Sequence, residues 1–430
     1  MSLFLLIVVS YSTDLLDGLI NVGFMYLSPF RLCYFALVFF LLLWFCKDRL
    51  SFPAVSGRVS QAWIPCILFV IAASVSMLAN GDIRAGAKRI MFLLIQFSSA
   101  PIVAYYLDRR YGRTGKKHFL GIFEFSTIGI AIILVAVGLI QEVTNNVWWG
   151  DSDYRSSVII HGLRVPSLFY DPNFFGYALI IPFFVNLRIT YTGNKKADRL
   201  LRFIVGCLLL VGVNITGSHG TTLSIIAGLL FLYAEKHGQV RHLVEIVVIA
   251  FFTLAVFVIL NLKQVIGFIT TSSFFNTMLP RLLSWYSGIM SALHSPLLGI
   301  GPGRFTSIDK MSLISTLYAF PNPDALNRLA AHSIYVEIFV ECGFLGLILF
   351  LVFLLRMLDG GKPSVWADPR LGIYRAAFIA TACANLTLSY YPSFLFISYG
   401  VFLSAFKGAG PVESNKRTVA PRIVPQPRSL

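Results

Sequence analysis

Three basic side chains sit where they could handle a phosphate and a hydroxyl. Arg164 precedes a Tyr-Asp-Pro-Asn turn, Arg281 follows Pro280, and His332 opens the apolar run AAHSIYVEIFVECGFLG. Pro280 suits the first turn of a helix. An arginine in that turn opposes the helix dipole by roughly 0.3–1 kcal/mol. A bound anion reverses the sign, because the free N–H groups and the guanidinium then act together. A neutral imidazole near pH 7 accepts a proton from a hydroxyl. His332 is therefore the candidate catalytic residue, and Arg281 and Arg164 are candidate substrate ligands.

Each neighbour has a plainer reading beside the chemical one. Asp171 and Asn173 flank Pro172 in a turn signal that caps a helix, or they line the same ligand site. Arg164 is either a snorkelling interfacial cation or an anion ligand. Glu337 and Glu341 lie one helical turn apart. They orient a partner, pair with an arginine or face a wet cavity, and Glu337 is counted among the substrate-binding candidates. Ser218-His219-Gly220 is a polar break between two apolar segments, and His219 is a second candidate histidine there. The glycines of GIGPGRF have no preceding strand and no following Lys-Ser/Thr, so the motif reads as a tight turn. Asp151 and Asp153 form the one D-x-D, a weak metal candidate. No metal site is assigned and no cofactor is expected. The six cysteines fall in or beside apolar segments without metal spacing, as embedded thiols do.

The elements that position these residues are membrane helices. The 430-residue chain is 57% hydrophobic and 13% charged, with mean hydropathy +0.75. Its apolar residues come in long runs, and lipid tolerates such runs only as helices. Segments at 2–22, 29–46, 62–79, 89–107, 118–141, 174–190, 203–217, 221–234, 243–262, 332–355, 371–389 and 392–407 predict an all-α polytopic membrane protein of about twelve transmembrane helices. MSLFLLIVV lacks a basic n-region and a cleavage site, and reads as a retained first span. The net charge of +15 sits in short loops, and no nucleic-acid motif accompanies it. Loops such as DRRYGRTGKK and TGNKKADRLLR, together with the tail, hold most of the Lys and Arg, which makes that side cytoplasmic. Arg84, Lys88 and Arg89 are the exception on the outer side. The long outer loops 142–173 and 263–331 are the functional candidates. From Pro280, Leu282, Trp285, Ile289 and Leu293 recur at helical spacing, which predicts an amphipathic helix on the outer membrane surface. Residues 1–407 form one membrane domain, and 408–430 are a Pro- and Arg-rich tail expected to be disordered.

Four segments, RVPSLFYDPNFFG, GSHGTTLS, RLLSWYSGIMSALHSPLLGIGPGRF and AHSIYVEIFVECGFLG, come in this order. Together, over about 164–350, they resemble the O-antigen ligase and O-antigen polymerase superfamily of bacterial envelope glycosyltransferases. The resemblance implies a GT-C-like helical membrane fold in the bacterial inner membrane, with the site on the periplasmic face. It implies a metal-independent, inverting transfer of glycan from an undecaprenyl-diphosphate donor to an acceptor sugar hydroxyl. Arg281 then matches the arginine that holds the diphosphate, His332 the histidine that activates the acceptor, and Arg164 the arginine before the first PN turn. His219 stands where relatives often carry arginine. The expected activity is that of an O-antigen or exopolysaccharide polymerase. The alternatives are a ligase acting on lipid A core and a transporter or flippase. The partners would be the lipid-linked donor, a glycan or lipid A core acceptor, and membrane lipids.

Overall fold

The structure, a computed structural model, describes residues 20–21, 26–27, 31–39, 57–110, 113–147, 164–169, 171–242, 245–246, 279–314, 326–327, 329–358, 369–387 and 393–407. A two-residue ladder, β1 (Ile20–Asn21) with β2 (Tyr26–Leu27), pairs Ile20 with Leu27 and Asn21 with Tyr26. It falls at the end of the expected first span. Otherwise these residues form helices and the turns between them. In order the helices are α1 (31–39), α2 (Gly57–Asn80), α3 (Ile83–Arg110), α4 (Arg113–Thr144), α5 (Pro172–Asn186), α6 (Lys195–Ile215) and α7 (His219–Lys236). They continue with α8 (Leu279–Ala292), a 3-10 turn at Phe305–Ser307, α9 (Lys310–Ile314), α10 (Ile334–Leu358), α11 (Pro369–Ala384) and α12 (Ser393–Lys407).

Four described helices are long and apolar enough to cross a membrane: Trp63–Asn80, Ile83–Leu107, His118–Thr144 and Ile334–Leu358. Pro172–Asn186, Gly372–Ala384 and Phe394–Ser404 are shorter apolar helices. The outward rows of the long helices, including Ile64, Leu78, Ile133 and Leu355, are exposed, as side chains bathed in lipid are. The chain is an integral, helical membrane protein. The segments expected as spans at 203–217 and 221–234 are α6 and α7. Nearly all of the segments 2–22 and 243–262, Asp151, Asp153, the tail 408–430, and residues 148–163, 263–278 and 315–325 of the long outer loops lie outside the described residues.

Two packing centres organise the bundle. Phe97 of α3 stacks on Phe350 and Phe353 of α10 and tilts against Phe69 of α2 and Phe396 of α12. The second centre is α5 itself, buried along almost its whole length because α4, α6, α7 and α11 surround it. Such a helix needs no polar face, which is why its sequence is apolar all round.

The segment 332–355 reads as one uninterrupted span, and the structure corrects that. Gly343 adopts φ 66°, ψ −169°, and α10 breaks there. The loop after α8 enters the break. Phe344 N–H donates to the Pro296 carbonyl at 2.8 Å and Leu345 N–H to the Leu297 carbonyl at 3.3 Å. In return Ile300 N–H donates to the Val340 carbonyl at 2.9 Å and Gly301 N–H to the Glu341 carbonyl at 3.1 Å. Non-helical backbone at membrane depth needs such partners. The crossing is so close that a Cβ on Gly343 would lie 2.3 Å from the Leu297 carbonyl, and one on Gly299 2.5 Å from the Val340 oxygen. GIGPGRF is therefore more than a turn, since Gly299 marks the point of closest approach.

Candidate functional site

The site is built at one end of the bundle, where α5 starts, α6 meets α7, and α8 faces the entry to α10. Asp171 caps α5 from an extended backbone, with Pro172 in the first turn. Its Oδ1 accepts from the Asn173 N–H at 2.7 Å and from the Asn173 side-chain amide at 2.9 Å. The capping reading of Asp171 is thus what the fold uses. Asn173 in turn accepts from Arg164 Nη2 at 2.9 Å. Arg164 Nε donates to the Thr216 carbonyl at 3.0 Å, at the end of α6. The guanidinium lies over Gly217, which has φ 58°, and a Cβ there would sit 3.0 Å from Nε. Glycine fits both requirements. His219 follows two residues on, exposed in the first turn of α7, where Ser218 is the cap.

Arg281 projects from the first turn of α8. The face of α8 that carries Ser284, Ser287, Gly288 and Ala292 is buried, and a Cβ on Gly288 would meet Phe305 at 2.7 Å and Val340 at 3.1 Å. The apolar stripe of Ile289 and Leu293 points outward. The helix thus packs its small-residue side on the protein. Behind it, the buried Lys310 amine donates to the Asn327 carbonyl at 2.6 Å and lies 5.1 Å from the Phe305 ring centre. Burial pushes that amine down to about 8.

His332 sits at φ 48°, in the left-handed region. A histidine there is uncommon and strained. The residues around it are tethered on both sides. The Trp285 indole N–H donates to the Ala331 carbonyl, and the Ile334 N–H donates to the Asn385 carbonyl at 3.1 Å.

Electrostatics join these side chains into one group. Burial holds the Arg281 pKa below its ordinary value, Asp171 opposes that, and Arg164 adds to it. His332 is pushed down to about 4, first by burial and then by Arg281, with Asp171 opposing. Its imidazole is therefore neutral at neutral pH. Among the described residues, neither the Arg281 guanidinium nor the His332 imidazole has a hydrogen-bond or ion-pair partner. A half-buried cation with only the more distant Asp171 charge and no direct ion pair among the described residues is costly, so the arrangement suits an anion that arrives from outside. A neutral imidazole beside it suits proton acceptance.

Glu337 turns elsewhere. Its Oε1 pairs with Arg89 Nη2 from α3, while Arg89 Nε lies 3.2 Å from Glu341 Oε2. Glu341 Oε1 also accepts from the Phe305 N–H at 3.5 Å. Of the three readings open to these carboxylates, the structure realises the pairing with an arginine. It also explains why Arg89 breaks the charge asymmetry of the loops: it is a partly buried counter-ion rather than a loop charge. Sequence reasoning missed Asn385 and Lys310, and took Trp285 only as an apolar helix position. Arg89 had a signal, its place on the wrong side of the membrane by charge count. A cavity of about 520 Å³ at the other end of α5, lined among others by His118, Glu124, Arg188 and Tyr374, holds none of the sequence candidates.

Comparison with known proteins places these observations. Residues 204–351 match the family model for O-antigen ligase. The match includes His219, Arg281, His332, Glu337 and both sides of the Gly299–Gly343 crossing, while Arg164, Asp171 and Asn173 lie before it. No curated protein matches the chain. The match over residues 204–351 supports the likeness to the O-antigen ligase and polymerase superfamily of glycan-transferring membrane enzymes.

Proposed function

We propose that the protein transfers a glycan from a polyprenyl-diphosphate donor, of the undecaprenyl class, to a sugar hydroxyl at the periplasmic face of the bacterial inner membrane. The observation that carries this reading is a half-buried Arg281 and a neutral His332 in one electrostatic group, neither with a hydrogen-bond or ion-pair partner among the described residues. In this mechanism Arg281 and Arg164 hold the diphosphate in bidentate fashion. His332 takes the proton from the acceptor hydroxyl as its oxygen attacks the anomeric carbon. The bond from that carbon to the diphosphate oxygen breaks, and the guanidiniums stabilise the charge that develops on the leaving group. Attack opposite the leaving group inverts the anomeric configuration. Fixed guanidiniums supply the positive charge, so the reading requires no metal. Asp171 and Asn173 act through Arg164 and the start of α5. His219 lies beside Gly217 at the start of α7, and Glu337 supports the helix behind His332. The helical arrangement is read as GT-C-like, with about twelve spans in the whole chain.

The polymerase is the preferred form of this reading, and a ligase acting on lipid A core shares its donor chemistry. A transporter would use a broken helix to coordinate an ion. Here four backbone groups freed by the α10 break are taken by the loop at Pro296–Gly301, which weighs against transport. The test is glycan transfer with purified protein and lipid-linked glycan, comparing wild type with His332→Ala, Arg281→Ala and Arg164→Ala at matched folding. Loss of transfer in the first two supports the assignment, and normal transfer in both sinks it. A ladder of products identifies a polymerase, and a single transferred chain a ligase. Retained anomeric configuration by NMR would exclude direct displacement.

A further inference from the structure

His332 is held by two tethers that come from different helices. On its N-terminal side, the Ala331 carbonyl accepts the indole N–H of Trp285. Trp285 lies one turn from Arg281 on α8, so the two residues share a face. On its C-terminal side, the Ile334 N–H donates to the carbonyl of Asn385, at the end of α11. Asn385 is buried and is itself fixed twice. Its N–H donates to the Thr381 carbonyl at 3.2 Å, and its side-chain oxygen accepts from the Tyr177 hydroxyl of α5 at 2.5 Å. A left-handed histidine persists only where its surroundings over-determine it. Two such bonds flank it, one tied to the helix of Arg281 and the other to the helix that Asp171 caps.

We infer that Trp285 and Asn385 are positioning residues that set the register of the His332 imidazole against the Arg281 guanidinium. This rests on the proposed role of His332 as the base and goes beyond it, because it names what fixes the distance between proton acceptor and diphosphate ligand. Neither residue touches the reacting atoms. Each acts on them through the backbone on one side of His332.

The experiment uses the full-length protein, a lipid-linked glycan donor and initial rates. Trp285→Phe keeps an aromatic ring and removes the N–H. Asn385→Leu keeps the backbone carbonyl and removes the Tyr177 bond that anchors it. A misplacement of about 1 Å can cost a hundredfold in rate. The expected result is a fall in kcat of ~10- to ~100-fold for Trp285→Phe, with donor KM within about twofold because both arginines stay in place. Asn385→Leu should show a smaller fall of the same kind, and Asn385→Gln, which restores an amide oxygen, should recover part of it. With the imidazole released from its register with Arg281, the acid limb of kcat/KM that belongs to His332 should move up towards the ordinary histidine range. A merely structural role would leave that limb in place. Unchanged kcat in Trp285→Phe while His332→Ala is inactive overturns the inference and leaves the base reading standing. Raised KM at unchanged kcat, or lower rates with no movement of the limb, also overturns it. Wild-type transfer by His332→Ala overturns the base reading and the inference with it.

Discussion

The acid limb of the rate profile should depend on whether the donor is bound. In the ligand-free protein His332 titrates at about 4 against an ordinary 6.5. At pH 7 only about one molecule in a thousand then carries the imidazolium. Burial contributes most of this lowering and Arg281 the next part. In the proposed mechanism a diphosphate held by Arg281 and Arg164 would neutralise the cations and add negative charge of its own. A single unscreened charge about 6 Å away in an effective dielectric of about 20 is worth ~3 kcal/mol, or about two pK units. The bound donor should therefore raise the His332 value by one to two units and strengthen the base only when there is something to transfer. The assay is transfer rate against pH, because kcat/KM reports the free enzyme and kcat the complex. The limb in kcat should lie at least about one unit above the limb in kcat/KM. Arg281→Lys keeps a cation and should leave the kcat/KM limb nearly in place, Arg281→Gln should raise it, and Asp171→Asn should lower it. Coincident limbs, or a limb that survives in His332→Gln, would refute the reasoning.

Other consequences concern stability. Because the folded state holds His332 well below its unfolded value, the unfolded chain binds the extra proton between pH 6.5 and about 4. Stability contributed by this site is complete above about pH 6.5 and falls as pH drops towards 4, by about 3 kcal/mol in all. Thermal unfolding in detergent should show this slope, and His332→Gln should flatten it. Gly343→Ala places a Cβ 2.3 Å from the Leu297 carbonyl at positive φ, so it should cost ~3–5 kcal/mol from strain and overpacking, read as lost folded protein by size-exclusion chromatography. Arg89→Leu leaves two carboxylates facing one another without their cation and should cost about 3–5 kcal/mol. Adding Glu337→Gln to Arg89→Leu should return part of that loss in the same thermal assay.

Much of the fold was legible because its signals are local. Long apolar runs gave the helices, Asp-Pro-Asn gave the cap of α5, and Pro280 gave the start of α8. The residues Arg164, Arg281 and His332 stood out because charge is scarce in such a chain, and the structure brings them into one electrostatic group with Asp171. The α10 break was not legible. Gly343 lies in a run that is apolar on both sides, and nothing within it announces that Pro296–Gly301 will enter. Asn385 and Trp285 were hidden for the same reason, since each contributes through one bond to the backbone of a residue far away in sequence. Glu337 kept three readings open in the sequence because the partner it pairs with, Arg89, lies 248 positions earlier.

The two devices behind His332 divide the work of holding it. The first half of α10 is bound to α3 through Arg89 and to the Pro296–Gly301 loop through two backbone hydrogen bonds, and the same loop takes two more from the start of the second half. That fixes the half-helix as a body. The Trp285 and Asn385 tethers then fix the residues that enter it. Buried charge is expensive in a membrane and is kept where it is paired or used. Arg89 and its two carboxylates are the paired case, buried so that the helix cannot slide. Arg281 and His332 are without protein partners among the described residues, and the cost of leaving them so is what a diphosphate and a hydroxyl would remove on binding.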